Sequence, residues 1–144
     1  MAIPARISLI TIGVHDLPEM TAFYESIGWK RSSASTGEVS FFATADSALA
    51  LYSLADLAAD ANLEVEPLPR FRGVTLAINV ESETEVDRVL REAEAAAATI
   101  LKHGERAAWG GYTGYFADPE GNAWEVAYNP GFPIGADGSV QLPD

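Results

Sequence analysis

The stretch FADPEGNAWEVAYNP, residues 116–130, predicts the closing hairpin of the fold. It contains a strand, an Asp-Pro-Glu-Gly turn and a second strand in which bulky and small residues alternate. Because alternation sends neighbouring side chains to opposite faces of a strand, one face carries the bulk and the other carries Glu125 between Ala123 and Ala127. A carboxylate flanked by methyl groups either faces open water or lines a hollow.

The composition restricts the class of protein. The chain has 144 residues, enough for one domain with a working core, and it contains no cysteine. The lack of cysteine excludes disulfides, thiolate metal ligands and a cysteine nucleophile, and it fits a reducing compartment. The N-terminal stretch MAIPARISLI lacks the features of an export signal, and no apolar run is long enough to span a membrane. The sequence therefore predicts a cytoplasmic protein.

The charge of the chain restricts its partners. The formal net charge is -12 at pH 7, with the charged residues scattered along the sequence. Such a surface repels phosphate backbones and anionic lipid headgroups, so neither nucleic acid nor a membrane is expected as a partner. A small molecule or another protein remains.

The first half of the chain predicts one strand, one helix and three further strands. Residues 7–16 form an apolar, β-branched run that predicts a buried strand. Asp16 and Glu19 stand at the spacing of a capping box, so a helix is expected to begin there and to end at Gly28. The strands that follow are predicted at residues 29–32, 38–44 and 47–52.

The second half repeats this order of elements. After another apolar strand, Ser82 and Glu85 repeat the capping spacing at the start of a helix with an apolar stripe. Placing Val14 on Val80 aligns the two apolar strands and sets Glu19 on Glu85, which favours an internal duplication. The later strands of this half are predicted at residues 99–102, 112–117 and 123–128.

These elements predict an α+β fold in one domain, residues 1–144. Each half supplies one helix that covers one face of a curved, mostly antiparallel sheet, and two such β-α-β-β-β modules are expected to form a cup-shaped, partly open barrel. Glu125 then points into the hollow. The expected parts are a first module at 5–53, a linker at 54–72, a second module at 73–129 and an irregular tail at 130–144.

Two motifs resemble those of a known superfamily. The first is V-x-D-L at residues 14–17, followed by Phe-Tyr-Glu and Gly-Trp, and the second is YFADPEGNAWEV at residues 115–126. Together they cover nearly the whole chain and resemble the vicinal oxygen chelate superfamily, which includes glyoxalases, bleomycin-resistance proteins and dioxygenases. The resemblance implies the glyoxalase-like fold, a small-molecule ligand and a homodimer. Because this scaffold hosts isomerases, transferases, oxygenases and passive drug binders, it leaves open whether the chain is an enzyme.

The resemblance also implies a divalent metal, held by residues on the first and last strands of each half. The glutamate of the DPxGxxxE pattern is one ligand, and here it is Glu125. The other three ligand positions of the superfamily fall on Leu9, Ala50 and Thr75, none of which is a strong metal ligand. We therefore expect no metal and no other cofactor, so that mechanisms based on a Lewis acid are not expected either.

Tyr115 and Glu125 are the predicted catalytic pair. The resemblance places the tyrosine on the inward face, beside the ligand. Glu125 then serves as a general base towards an acidic C–H or N–H, and the Tyr115 hydroxyl stabilises the developing anion. The predicted substrate-binding residues are His103, Trp109, Tyr112 and Thr113. Two alternatives stay open, which are packing of the aromatic residues in the core and a glutamate in open solvent.

The expected function is the binding of a small organic molecule without a metal, with proton transfer at Glu125. Such a protein is glyoxalase-like or bleomycin-resistance-like and, if it is an enzyme, it is a lyase, isomerase or transferase of the superfamily. One alternative is a non-catalytic protein that sequesters a drug or metabolite in the same pocket. A metal-dependent lyase or dioxygenase with a non-standard site is a further alternative.

Overall fold

Helices and strands in the computed structural model, which describes residues 2–144, fall into two units, one ending at Glu66 and the other beginning at Pro67. Each unit contains its own mixed sheet, and neither sheet closes into a barrel. The predicted class, α+β with two modules of the β-α-β-β-β kind, is confirmed. The finer boundaries of modules, linker and tail stay predictions.

The first unit contains three strands and two helices. They are β1 (Ile10–Val14), α1 (Leu17–Ser26), β2 (Val39–Ala43), β3 (Ala48–Ser53) and α2 (Leu54–Asp60). The central strand β3 pairs in parallel with β1 and antiparallel with β2. Because parallel strands cannot be joined by a tight hairpin, β1 and β3 are connected by a longer crossover, which here contains α1 and β2.

Helix α1 begins at the predicted cap. The Asp16 carboxylate accepts a hydrogen bond from the Glu19 backbone N–H at 3.0 Å, which satisfies a donor that the first turn leaves unpaired. Its buried face packs aromatic rings, with the Tyr24 ring centroid 5.9 Å from that of Phe42 on β2.

No helix within residues 2–144 has both the length and the apolar content needed to cross a bilayer.

The strand predicted at residues 29–32 is wrong as a full strand. Only one bridge, between Arg31 and Phe42, remains of it. The physical reason is a turn that begins at Ser32, because the Ser35 N–H bonds back to the Ser32 carbonyl and the Ala34 N–H to the Ser32 hydroxyl. These local bonds take the backbone out of the sheet after one pairing.

The second unit contains four strands and one helix. They are β4 (Leu76–Asn79), α3 (Glu83–Ala95), β5 (Thr99–Arg106), β6 (Tyr112–Ala117) and β7 (Ala123–Tyr128), and the sheet order is β4-β7-β6-β5. Ser82 caps α3 by accepting from the Glu85 N–H at 3.1 Å. Val86, Leu90 and Ala93 form the buried stripe of α3, which contacts β5, β6 and β7.

Pairing in the two sheets agrees with the predicted register of the duplication. Ile12 lies opposite Leu51 in the first sheet, and Ile78 lies opposite Val126 in the second. Two predicted strands differ in length. The strand expected at residues 7–16 is shorter and extends only from Ile10 to Val14. Strand β5 runs four residues beyond its predicted end, with two register irregularities against β6.

Candidate functional site

The turn between β6 and β7 is held from within by one buried carboxylate. Asp118 is 2 % exposed, and its oxygens accept hydrogen bonds from the backbone N–H groups of Glu120 and Asn122 and from the Asn122 amide. Gly121 supplies the positive φ of 89° that the turn requires. A turn fixed in this way sets the register of the two strands that it joins.

Arg72 fixes the same turn from outside. Its Nη1 donates to Asn122 Oδ1 at 2.7 Å, and its Nη2 donates to the Glu120 carbonyl at 2.7 Å. The Nε of this side chain is buried and has no hydrogen-bond partner within residues 2–144. The segment before β4 is therefore tied to the turn that leads into β7, three residues before Glu125.

Tyr115 and Glu125 meet directly across the β6–β7 ladder. They are paired residues in the antiparallel register, and the Tyr115 hydroxyl donates to Glu125 Oε2 at 3.0 Å. Both side chains are half-buried. Burial raises the pKa of Tyr115, and the hydrogen bond to Glu125 and the negative charge of that carboxylate raise it further. The phenol therefore stays protonated, as a donor, throughout the neutral pH range.

The pair lies on the sheet face that α3 does not cover. Gly114, the neighbour of Tyr115, faces the helix, because a Cβ built on it would come within 2.5 Å of Leu90 Cδ1. Alternation then puts Tyr115 on the opposite face. Glu125 has Ala77 as its partner on β4, and Ala123 and Ala127 flank it on β7. Small side chains thus flank the carboxylate on β4 and β7, and the Tyr115 ring lies opposite it on β6.

The predicted substrate-binding residues fall in different places. Thr113 shares the face of Tyr115 and is 5 % exposed. Tyr112 lies on the helix side, where its hydroxyl donates to Asp87 Oδ1 at 2.8 Å. His103 lines a groove between α3 and β5 on that side, and Trp109 lies in the β5–β6 turn with 57 % of its surface exposed. The structure thus brings Thr113 to the Tyr115–Glu125 face but sets Tyr112 and His103 apart from it.

The side chains at the superfamily's metal positions do not fit a divalent metal. Within the second unit, Glu125 is the one carboxylate at these positions, and Thr75 offers a hydroxyl. Within the first unit, Leu9 and the buried Ala50 carry no donor atom. Residues 2–144 contain no group of three or more His, Asp or Glu side chains placed to hold a metal ion. No step through a metal follows from such a donor set.

The sequence did not predict the residues that fix the turn before Glu125, which are Arg72, Asp118 and Asn122. The DPEGN letters signal a turn, and an aspartate at its start favours the capping bonds seen here. Nothing in the sequence connects Arg72 to a turn that lies about 50 positions further along the chain.

Comparison with known proteins agrees with this fold and its motifs. The family model of the Glyoxalase/Bleomycin resistance protein/Dioxygenase superfamily matches residues 6–126. The chain therefore belongs to this superfamily, and the resemblance seen in the sequence is confirmed. None of the curated proteins that were searched matches the chain.

Among solved structures, a glyoxalase-related enzyme from Fulvimarina pelagi is 35% identical, with a TM-score of 0.89, 98% of this chain covered and 100% of that one. The lactoylglutathione lyase from Agrobacterium tumefaciens is 25% identical, with a TM-score of 0.68 and coverage of 88% and 96%. A superfamily enzyme from Burkholderia phytofirmans PsJN shares the fold at 22% identity, with a TM-score of 0.73 and coverage of 84% and 96%.

Proposed function

We propose that this chain binds a small carbonyl compound beside Glu125 and removes a proton from it without a metal. The observation that supports the proposal is the hydrogen bond of 3.0 Å from the Tyr115 hydroxyl to Glu125 Oε2, on the sheet face that α3 leaves uncovered. A base and a donor in direct contact are the two groups that abstraction of a proton beside a carbonyl requires.

The proposed step is a transfer of one proton. Glu125 accepts the proton of the C–H bond next to the carbonyl, and the electron pair of that bond moves onto the carbonyl oxygen as an enolate. The Tyr115 hydroxyl, which bonds to Glu125 before the ligand enters, turns to donate to the enolate oxygen. Return of the proton to the other face of the same carbon gives the epimer. In an α-hydroxy carbonyl compound, return of the proton to the former carbonyl carbon, with the α-hydroxyl proton moving to the former carbonyl oxygen, gives the isomer with the carbonyl at the neighbouring carbon. No oxidant or reductant is needed.

Metal independence is part of this proposal. It is supported by the side chains at Leu9, Ala50 and Thr75, because two of these have no lone pair and the third has only a hydroxyl. A neutral phenol whose pKa is raised by burial is then the group that supplies electrophilic stabilisation to the anion.

A second candidate function uses the same face without turnover. Ala77, Ala123 and Ala127 place only methyl groups beside Glu125, and a half-buried carboxylate attracts a cationic ligand. In this alternative, Glu125 provides affinity for a drug or metabolite that the protein sequesters. The two functions predict different effects of the Glu125→Gln variant, because this variant removes the charge and keeps the shape.

Exchange of a substrate hydrogen for solvent deuterium tests the proton transfer directly. A lactoyl thioester is a suitable first probe, because the C–H beside its carbonyl is acidic and a relative of 25% identity is a lactoylglutathione lyase. We expect protein-dependent exchange, seen by NMR, that falls by about 10²- to 10⁴-fold in Glu125→Gln. Tyr115→Phe is expected to lower the rate by about 10²- to 10³-fold while affinity changes little.

The controls separate the two functions. Glu64→Gln removes one carboxylate from an exposed position far along the chain from the pair, and it is expected to leave exchange unchanged. Exchange that survives Glu125→Gln would falsify the proposed base. Loss of affinity in Glu125→Gln, measured by calorimetry with a cationic probe and without any exchange, would favour the sequestering protein. Metal analysis adds a further test, since stoichiometric zinc, nickel, iron or manganese retained through dialysis would contradict metal independence.

The homodimer expected from the sequence belongs to the same proposal. Its support is a segment of exposed large apolar residues between the two sheets in sequence, which comprises Leu63, Val65, Leu68, Phe71 and Val74. Large apolar side chains that are exposed along one segment are candidates for burial between two chains. Light scattering should give twice the chain mass for the wild type and the single mass for Phe71→Asp. A wild-type monomer at high concentration would refute this part.

A further inference from the structure

A groove between α3 and β5 lies on the helix side of the second sheet, opposite the Tyr115–Glu125 face. Its volume is about 210 Å³, the size of a small metabolite. The residues that line it are Asp87, Leu90, Arg91, Glu94, Ile100, His103 and Gly104. His103 belongs to the residues that the sequence marked as binding a ligand and that the site around Glu125 does not use.

The groove exists because of two features of the edge strand β5. The register against β6 shifts between Ile100 and Lys102 and again between Lys102 and Glu105. Gly104 lies in the second irregular stretch and contributes no side chain to the floor. A Cβ built on it would come within 2.5 Å of the Tyr112 ring and 2.6 Å of Asp87 Oδ1. The irregular pairing and the missing side chain at Gly104 thus leave room for the groove beside this part of β5.

Asp87 is held in a fixed position in this groove. The Tyr112 hydroxyl donates to Asp87 Oδ1 at 2.8 Å, and the hydrogen bond to this carboxylate raises the pKa of Tyr112, so that the phenol remains a donor. The second oxygen of Asp87 makes no hydrogen bond with any part of the chain that the structure describes. A carboxylate oriented by one partner and open at its other oxygen is suited to receive an ammonium group.

Among the described residues, the charged side chains of α3 form ion pairs on one side of the helix but not on the side that lines the groove. Outside the groove, Arg88 pairs with Glu85 and with Glu92, both at 2.8 Å. Inside the groove, Asp87, Arg91 and Glu94 stand at the same three- and four-residue spacings, yet none of them forms an ion pair within residues 2–144. The groove therefore offers both signs of charge about 6 Å apart, one helical turn from each other, above the apolar side chains of Leu90 and Ile100.

We propose that this groove binds a free α-amino acid with an aliphatic side chain. The ammonium group bonds to Asp87, the carboxylate bonds to Arg91, and the side chain packs on Leu90 and Ile100. A ligand with only a carboxylate meets the repulsion of Asp87 and Glu94 within a chain of net charge -12. A simple amine meets the charge of Arg91. A zwitterion satisfies both charges and leaves none unpaired.

Three matched probes test the ligand class. L-leucine carries both charges, leucinamide keeps the ammonium without the carboxylate, and 4-methylpentanoate keeps the carboxylate without the ammonium. In amide NMR spectra of the full chain, L-leucine is expected to shift the signals of Leu90, His103 and Gly104 in a saturable way. The other two probes are expected to bind at least about tenfold more weakly, because each loses one charged hydrogen-bonded contact.

Matched variants of α3 locate the site. Arg91→Gln and Asp87→Asn are expected to weaken L-leucine binding by about tenfold or more, and the asparagine keeps an acceptor for the Tyr112 hydroxyl. Arg88→Gln, on the paired side of the same helix, is expected to leave binding unchanged. The amide spectra report whether each variant is folded.

Three results would overturn the proposal. The first is the absence of a saturable shift with L-leucine up to about 10 mM. The second is equal binding of leucinamide, which would make Arg91 irrelevant. The third is an equal loss of binding in Arg88→Gln and Arg91→Gln, which would indicate general attraction by the helix surface. Glu125→Gln is expected to bind L-leucine as the wild type does, so failure here is distinguishable from failure of the proposed proton transfer.

Discussion

Arg72 donates two hydrogen bonds, both of 2.7 Å, to the turn that leads into the strand of Glu125, one to Asn122 Oδ1 and one to the Glu120 carbonyl. The guanidinium therefore connects the segment before β4 to the turn before β7. Its buried Nε remains without a hydrogen bond in the described chain, which reduces the net benefit of the contact.

Replacing Arg72 by methionine is expected to lower the free energy of unfolding by about 1–2 kcal/mol, because two charge-assisted hydrogen bonds are lost while one buried unpaired donor is removed. Urea unfolding measures the change. Asn122→Ala combined with Arg72→Met forms a double-mutant cycle, and a coupling energy of about 1 kcal/mol is expected. Fully additive effects would mean that the two side chains do not interact in solution.

Ala97, which directly follows the C-cap residue Ala96 of α3, has a backbone conformation that suits glycine. Its φ is 81°, and the Ala98 N–H bonds back to the Ala93 carbonyl at 3.0 Å, as in a Schellman motif. Ala97→Gly is therefore expected to raise the free energy of unfolding by about 0.5–1 kcal/mol. Ala95→Gly, two residues earlier at the last residue of α3, is the matched control and should lower it by about 0.5–1 kcal/mol. A loss of stability in both variants would contradict the assigned helix end.

Thr21 on α1 and Ser40 on β2 share a buried hydrogen bond of 2.8 Å between their hydroxyl oxygens. Ser40→Ala leaves the Thr21 hydroxyl without its partner, and a cost of about 1–3 kcal/mol in thermal or urea unfolding is expected. Thr21→Val combined with Ser40→Ala replaces both polar groups, and its cost should be smaller than the sum of the two single changes. A sum equal to the single effects would show that the pair is not coupled.

Tyr115 is expected to make stability depend on alkaline pH. Burial raises its pKa above the value near 10 of an unfolded tyrosine, so the folded state holds the proton more tightly. The stabilisation is complete below about pH 10, and it is lost as pH rises through the folded-state pKa. Tyr115→Phe should therefore flatten the fall in unfolding free energy above about pH 10.

Phenolate absorbance gives an independent measurement of this effect. Tyr112 and Tyr115 should both ionise late in the wild type, since the hydrogen bond to Asp87 also raises the pKa of Tyr112. Tyr115→Phe should remove one of them and Tyr112→Phe the other. If Tyr115→Phe instead removes an ionisation near pH 10 and leaves the late ones in place, this phenol is open to solvent.

The pairing of Tyr115 with Glu125 was predictable because it is local. A short turn of fixed length joins their strands, so the register follows from the letters DPEGN, and alternation then assigns the faces. The same alternation puts Tyr112, three positions before Tyr115, on the other face. Aromatic character alone groups Tyr112 with the substrate site, whereas its odd separation from Tyr115 in the sequence indicates the opposite face.

Contacts between distant segments were not predictable from the sequence. The parallel pairing of β1 with β3 joins two strands that α1 and β2 separate in the chain. The hydrophobic pattern alone does not encode which strands pair. The contact of Arg72 with the turn has the same character. The strand predicted at residues 29–32 failed for a local reason, because serine side chains compete with the sheet for backbone hydrogen bonds.

The irregular pairing of the edge strand β5 also affects the tendency of the protein to aggregate at high concentration. An edge strand offers free backbone groups to any other extended chain, and a straight one invites fibril growth. Here the edge carries two interruptions, together with Lys102, Glu105 and Arg106. Because an irregular, charged edge strand pairs poorly with further strands, mutations that make the pairing of β5 regular are expected to promote aggregation.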